Sequence, residues 1–406
     1  MEMKKYKLYE IADYVSSKVS TSQLSLQDYI TTDCLLQNKC GRECAENLPP
    51  QSANVTAFKP GDILIANIRP YLKKIWYANS EGGASADVLT IRAKSGFEKL
   101  YVYYALFQDS FFDYATKGAK KGSKMPRGDK DQIMNFELLI PKDLHIQKNI
   151  ASVISSFDKR IENLRAQNRV LEQTAKTIYD YTFLQCSGHQ TTYNKTLNRN
   201  IPTNWEVCSI GDYIKENKGG DWGKENPEKN YNLQVSCIRG TDIDKMVDLP
   251  VRYILTKNSS KLLQEFDLVV EISGGSPTQS TGRSRLITKE LLEKFDNKLI
   301  CSNFCQAITI KNPLYAYYIS FMWKMFYDNG IFFNFEGKTS GIKNFQLDQF
   351  VETIWFFPDP QTVEKFNAQV SPLLKKQQVN TKQIETLTTQ RNTLLPLLMT
   401  GQVNIV

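Results

Sequence analysis

The chain is written twice, and that internal repeat constrains its architecture more than any local pattern does. YKLYEIADYV, from Tyr6 to Val15, aligns with WEVCSIGDYI, from Trp205 to Ile214; both have an aromatic start and an Ile-x-Asp-Tyr-aliphatic end. Further in, PGDILI (Pro60 to Ile65) aligns with EFDLVV (Glu265 to Val270), an aspartate followed by a short β-prone apolar run. Lys121-Gly122-Ser123 then matches Lys338-Thr339-Ser340, and Leu139-Ile140-Pro141 matches Phe356-Phe357-Pro358 with the same register shift. A chain of 406 residues has room for two such halves, each with its own core.

After each of these prolines the hydrophobic period changes to a heptad. In the first half Phe157, Leu164, Leu171 and Ile178 fall at one seam position and Ile161, Asn168 and Ala175 at the other, with Ile150 and Ile154 leading in. In the second half Val363, Val370, Gln377, Ile384, Arg391 and Leu398 share one position and Phe366, Leu373, Asn380, Leu387 and Leu394 the other, so polar residues again sit mid-seam. Two amphipathic core helices of an ordinary domain would show the same periodicity, but a helix over 143–184 would extend roughly 60 Å. Such a rod needs a partner of equal length, and the second heptad run supplies it. The pattern predicts an antiparallel helix pair holding two globular halves apart, with a polar linker from Ser187 to Asn204. Ser371-Pro372 suits an N-cap and first helical position, so the distal segment reads as a short helix followed by a longer one, with Pro396 where the last turn should end.

Composition narrows the chemistry. The two histidines, His145 and His189, leave little material for a His-based metal site or general base. Eight cysteines without a CxxC pair read as reduced thiols. No apolar run approaches bilayer-spanning length, and the start MEMKKYKLYE lacks a signal peptide's apolar stretch, which predicts a cytoplasmic chain with no membrane partner. The net charge of +8 points weakly to a polyanion.

Against this background the chain resembles the specificity (S) subunits of type I restriction-modification systems, the HsdS family. GDILIANIRPYLKKIW (Gly61 to Trp76) with GSKMPRGD (Gly122 to Asp129) is similar to one recurrent type of target-recognition domain, and EISGGSPTQ (Glu271 to Gln279) with Gly282-Arg283 to another. RNTLLPLLMTGQV, from Arg391 to Val403, resembles the end of the family's distal conserved helix. Two departures stand out: Pro141-Lys142 in place of a Pro-Pro helix start, and Glu364 where the position matching Gln147 would carry glutamine. The resemblance implies an α+β fold of two tandem target-recognition domains separated by two long conserved helices packed as an antiparallel coiled coil. Its boundaries would be 1–142, 143–186 for the proximal helix, 187–358 with the linker, and 359–406 for the distal helix. It further implies a non-catalytic reader of double-stranded DNA, each domain taking one half of a split target. The helices would dock two methyltransferase (M) subunits, to which two restriction (R) subunits can add. S-adenosylmethionine and ATP belong to those partners, with no cofactor here. The helix seam would rest on Ile154, Phe157, Ile161, Leu164, Leu171, Ile178, Ile384, Leu387 and Leu394. The alternative is a non-enzymatic paired-helix scaffold for other proteins.

The residues themselves suggest where DNA would be met. Segment 117–130 carries Lys117, Lys120, Lys121, Lys124, Arg127 and Lys130 against one acid, Asp129, interrupted by glycines, with Ser123 among them. Such a loop can follow phosphates, and Arg127 can present a fork to guanine O6 and N7. A solvated surface loop would look the same. Arg69, Lys73 and Lys74, interleaved with Tyr71 and Trp76, form a second patch; an edge strand with lysines facing water is the plainer reading. In the second half charge is balanced, so recognition would rest on a few polar groups: Ser273, Gln279, Arg283 and Arg285 in one loop, and Lys338, Ser340 and Lys343 repeating the position of the first basic loop. Gly274 and Gly275 fit a tight turn on either reading.

Enzyme motifs fall short. Asn312-Pro313-Leu314-Tyr315 resembles the adenine-cradling motif of amino-methyltransferases but lacks its second proline. GAKKGSK, from Gly118 to Lys124, has the wrong spacing for a phosphate loop, and no Glu-x-Lys follows Pro358-Asp359 at a nuclease's spacing.

Overall fold

The computed structural model describes residues 2–50, 53–118, 124–274, 276, 278–339 and 342–403. Contacts divide the chain into two units, residues 1–164 with 383–406, and residues 165–382.

In the first unit the apolar run Ile63–Ala66 is an inner strand of an antiparallel sheet ordered Ala12–Tyr14, Val88–Ala93, Ile63–Ala66, Ile75–Tyr77. All four of its residues are buried, which is why the run is continuous rather than alternating. A second sheet joins Lys18–Ser20, Asn54–Phe58, Gly82–Ala84 and Tyr29–Ile30. Strand Met3–Lys7 pairs with Glu137–Pro141, and the latter leads into the proximal helix, Leu144–Tyr179, extended by one π turn over Asp180–Leu184.

The second unit repeats this order of parts. Asp267–Glu271 is an inner strand of a sheet ordered Ile214–Gly219, Cys305–Ile310, Asp267–Glu271, Ser284–Leu286. A second sheet joins Val251–Leu255, Tyr231–Ile238 and Lys298–Cys301. Glu206–Ser209 pairs with Ile354–Phe357, which leads into the distal helix, Pro360–Met399.

The repeated aspartate explains the shared phrase. Asp62 is buried, accepts the amide of Lys59 and holds Arg92 through two bonds of 2.7 Å. Asp267 is buried likewise, accepting the amide of Gln264 at 2.8 Å, the Lys218 ammonium at 2.9 Å and the Thr309 hydroxyl at 2.7 Å. The residue before each is left-handed, Gly61 with φ 94° and Phe266 with φ 69°. One turn therefore positions both inner strands, although glycine suits it in one copy and phenylalanine bears the strain in the other.

In the first unit Ile150, Ala151 and Ile154 of the proximal helix share a core with Leu395, Leu398 and Met399 of the distal one. In the second unit Ala175, Tyr179 and Phe183 share a core with Val363, Phe366 and Val370. The two helices thus run antiparallel in each unit. Ile161 and Leu164 are buried; Phe157, Leu171, Ile178, Ile384, Leu387 and Leu394 are half-buried. The expectation of a broken distal helix is wrong, because a single helix runs through Pro372 and on past Pro396. Pro372 and Ala368, whose carbonyl would have accepted the missing amide, both lie on the exposed face, while Val370, Leu373 and Leu374 are held by packing.

The departure at Glu364 also has a local account. Gln147 is buried and tethers its helix start, accepting the Glu98 amide at 2.9 Å and donating to the Pro141 carbonyl at 2.9 Å. Glu364 is exposed; Asn367, three residues on, donates to the Leu314 carbonyl at 2.7 Å instead.

Candidate nucleic-acid interface

In the first unit the chain leaving strand Ile63–Ala66 meets the end of the basic segment. Ile68 and Arg127 form an antiparallel bridge, the Arg69 amide donates to the Pro126 carbonyl at 2.8 Å, and the Gly128 amide donates to the Asn67 carbonyl at 3.1 Å. The two basic segments seen in the sequence therefore meet where Arg69 adjoins Pro126 and Arg127. Arg69 and Lys73 are both left-handed and flank the 3-10 turn Pro70–Leu72. Arg69 is exposed and has no ion-pair partner among the described residues, as have Lys117, Lys124 and Lys130. Tyr71 is 49% exposed beside it. Lys120, Lys121 and Ser123 lie outside the described residues.

Other predicted contacts are engaged inside the unit. Lys73 pairs with Asp109 at 3.0 Å, which Lys39 also holds at 2.7 Å, and Lys74 donates to the Thr32 carbonyl. Trp76 is engaged within the unit, with the Arg42 guanidinium 4.7 Å from its ring centroid and the Phe58 ring perpendicular to it. Arg127 forms a two-bond pair with Asp87, a residue that no sequence signal had marked, and those bonds raise its pKa further.

The second unit joins the corresponding parts. Ser273–Gly274 pairs with strand Ile342–Phe345, which forms a hairpin with Glu336–Thr339. Ser273 hydrogen-bonds to Asn344. Gly274 has φ 141°, and a Cβ there would stand 2.9 Å from Oε1 of buried Glu271, so this close approach requires glycine. Two of the predicted cations, Arg283 and Lys343, are struts. Arg283 holds Glu271 at 2.8 Å and Asp244 at 2.9 Å, which raises its pKa, and Lys343 holds half-buried Glu336 at 2.9 Å. Arg285 has its pKa lowered by burial. Gln279 is exposed, its amide donating to the carbonyl of Ser276. Ser340 lies outside the described residues, and of Lys338 the backbone alone is described, paired with Lys343 in the hairpin.

Beside Ser273 a cleft of about 460 Å³ is lined by Gln306, Asn344, Gln346, Asp348 and Gln349. Three glutamines there went unmarked in the sequence, because they come from two segments that only the tertiary fold brings together. The near-motif at Asn312 has a structural use: its Oδ1 accepts the Leu314 amide at 3.1 Å to start a helical turn, and buried Tyr315 donates to the Pro358 carbonyl at 2.9 Å. Among the described residues no group of His, Cys, Asp and Glu could hold a metal ion, and no helix is long and apolar enough to cross a membrane.

Residues 2–173 match the family model of the type I restriction modification DNA specificity domain. The type I restriction enzyme MjaIX specificity subunit of Methanocaldococcus jannaschii is 24% identical over 87% of this chain and 80% of its own length. Residues 2–173 therefore carry a type I restriction-modification specificity domain, and the chain as a whole is similar to the specificity subunits of such systems. The HindI specificity subunit of Haemophilus influenzae is 25% identical over 45% of this chain and 41% of its own. In fold, the chain is similar to the crystal structure of the type I system S subunit from M. genitalium, with a TM-score of 0.56, 14% identity and coverage of 100% and 97% of the two chains. These similarities support a role in DNA specificity.

Proposed function

We propose that this chain is the non-catalytic DNA sequence-specificity subunit of a type I restriction-modification complex. Recognition domains over 1–142 and 187–358 each read one half of a bipartite target in double-stranded DNA. The helices over 143–186 and 359–406 dock two methyltransferase subunits, with restriction subunits as a further addition. S-adenosylmethionine and ATP are held by those partners, and the assembly works in the cytoplasm. The observation that carries the reading is the duplication: the same loop pairing, 67–69 with 126–128 and 273–274 with 343–344, occurs once per unit in one chain. Two readers in one chain suit a divided target. The contact residues proposed are Arg69, Lys120, Lys121, Ser123, Lys124 and Arg127 in the first domain and Ser273, Gln279, Lys338 and Ser340 in the second. Lys73, Lys74, Arg283 and Lys343 hold those loops in shape, and Arg285 is withdrawn by burial. Val170 and Val379, 65% and 50% exposed on the two helices, offer apolar surface to a docked subunit.

Co-expression with the cognate M subunit, followed by methylome sequencing and mass determination of the complex, tests this. A bipartite motif with a fixed, sequence-free spacer and two M subunits per chain is the expected result. An undivided motif, modification that is independent of this chain, or micromolar binding of S-adenosylmethionine by the chain alone would overturn it.

A further inference from the structure

The pair between Arg127 and Asp87 has a specific geometry. Nε of Arg127 donates to Oδ1 at 2.9 Å and Nη2 to Oδ2 at 3.2 Å. A guanidinium carries five N–H groups in a rigid plane, with one two-donor edge at its Nε side and another at its tip. Asp87 takes the side edge. The tip edge, Nη1 with the second Nη2 proton, has no partner among the described residues, and the Arg127 side chain is 60% exposed.

Both partners are fastened to one residue. The Asn67 amide donates to the Asp87 carbonyl at 2.8 Å, and the Asn67 carbonyl accepts the Gly128 amide at 3.1 Å. The Arg69 amide on the Pro126 carbonyl completes the clamp. Gly128 belongs to it: a Cβ there would stand 3.0 Å from Asn67 Oδ1 and from the Ile133 side chain. Aspartate and arginine are thus fixed to each other through backbone as well as side chains. An arginine at a DNA surface ordinarily loses rotamer freedom when it binds, and a carboxylate that already fixes its plane removes much of that loss. The tip edge that remains matches the O6 and N7 acceptors of guanine in the major groove. A carboxylate beside DNA also repels phosphate, so Asp87 would lower affinity for every sequence alike if aiming Arg127 were not its use.

We propose that Asp87 is a positioning residue that holds Arg127 so its free edge reads one guanine of the half-target of the first domain. This rests on the proposed function. The test uses the whole chain assembled with its M subunit, with methylome sequencing of the expressing cells and binding to duplexes that carry the target or the target with that G·C pair replaced. Arg127→Ala and Asp87→Ala should relax the same single G·C position, lowering discrimination there roughly tenfold or more, and leave the other half-target unchanged. Asp87→Asn, which keeps one acceptor, should fall between. Both residues are exposed, so these changes leave the core intact. Tighter binding of Asp87→Ala to all duplexes with the motif unaltered would mean a merely neutralising pair and would overturn the proposal, as would uniform loss at every sequence. A wild-type complex that modifies no bipartite target defeats the functional reading itself; a bipartite wild type whose Asp87→Ala motif is unrelaxed defeats only the role of Asp87.

Discussion

Replacing Asn380 by leucine should stabilise the second unit. Asn380 is fully buried on the distal helix, where its Nδ2 donates to Asn168 Oδ1 at 3.0 Å and to Gln167 Oε1 at 3.3 Å. Its own Oδ1 has no partner among the described residues. Leucine gives up two hydrogen bonds worth about 1 kcal/mol each. Against that, it removes a buried, unpartnered oxygen that costs about 1–3 kcal/mol and adds apolar burial of about 1.5 kcal/mol or more. The groups it abandons fare well, since Gln167 is exposed and Asn168 half-exposed, so water takes their oxygens. The balance is a gain of about 1–2 kcal/mol. Asn380→Ala, which loses the same bonds and fills nothing, should lose about 1–2 kcal/mol. Urea unfolding followed by tryptophan fluorescence reports mainly this unit, which contains Trp205, Trp222, Trp323 and Trp355 against Trp76 alone in the first. A leucine variant destabilised by 1 kcal/mol or more would refute the reasoning and show that Oδ1 is satisfied in solution. The amide layer would then be a source of stability; on the balance above it costs stability and fixes helix register, the established use of a single polar seam position.

Further outcomes follow from the same geometry. Arg391 is buried, bonds Asp158 and lies 4.7 Å from the Phe107 centroid, so Arg391→Met should destabilise the first unit by about 3 kcal/mol or more and raise hydrogen exchange in both helix segments there. Asp267→Ala strands the buried Lys218 ammonium and should cost the second unit about 3–5 kcal/mol by urea unfolding. At the start of the distal helix, burial alone would raise the Asp359 pKa, but the Thr362 hydroxyl and amide, His189 and Asn204 together pull it below the ordinary carboxylate value. A depressed pKa gives stability that is present above the unfolded carboxylate pKa and lost as pH falls through the folded one. Asp359→Ala should therefore cost about 1 kcal/mol at neutral pH, and the difference from wild type should vanish well below about pH 4 in pH-dependent thermal unfolding.

What the sequence determined by itself is whatever periodicity and repetition encode. A heptad over Phe157 to Ile178 can bury its apolar stripe only as a long helix with a partner, and the repeated aspartate before a β-prone run carries its structural role in its identity. Even the polar mid-seam positions were legible, since Asn168 and Asn380 do meet. The continuity of the distal helix was not: local propensity ends a helix at Pro372, and only packing on both sides of an exposed proline overrides it. Nor was it visible which cations are free. Arg69 and Arg283 look alike as letters, yet one faces water and the other is bound by Glu271 and Asp244. Charge is a property of the residue, but availability depends on the carboxylates that folding brings near, from residues as distant as Asp87 is from Arg127. The tertiary structure decided that, and with it which side chains each unit has left to offer a base.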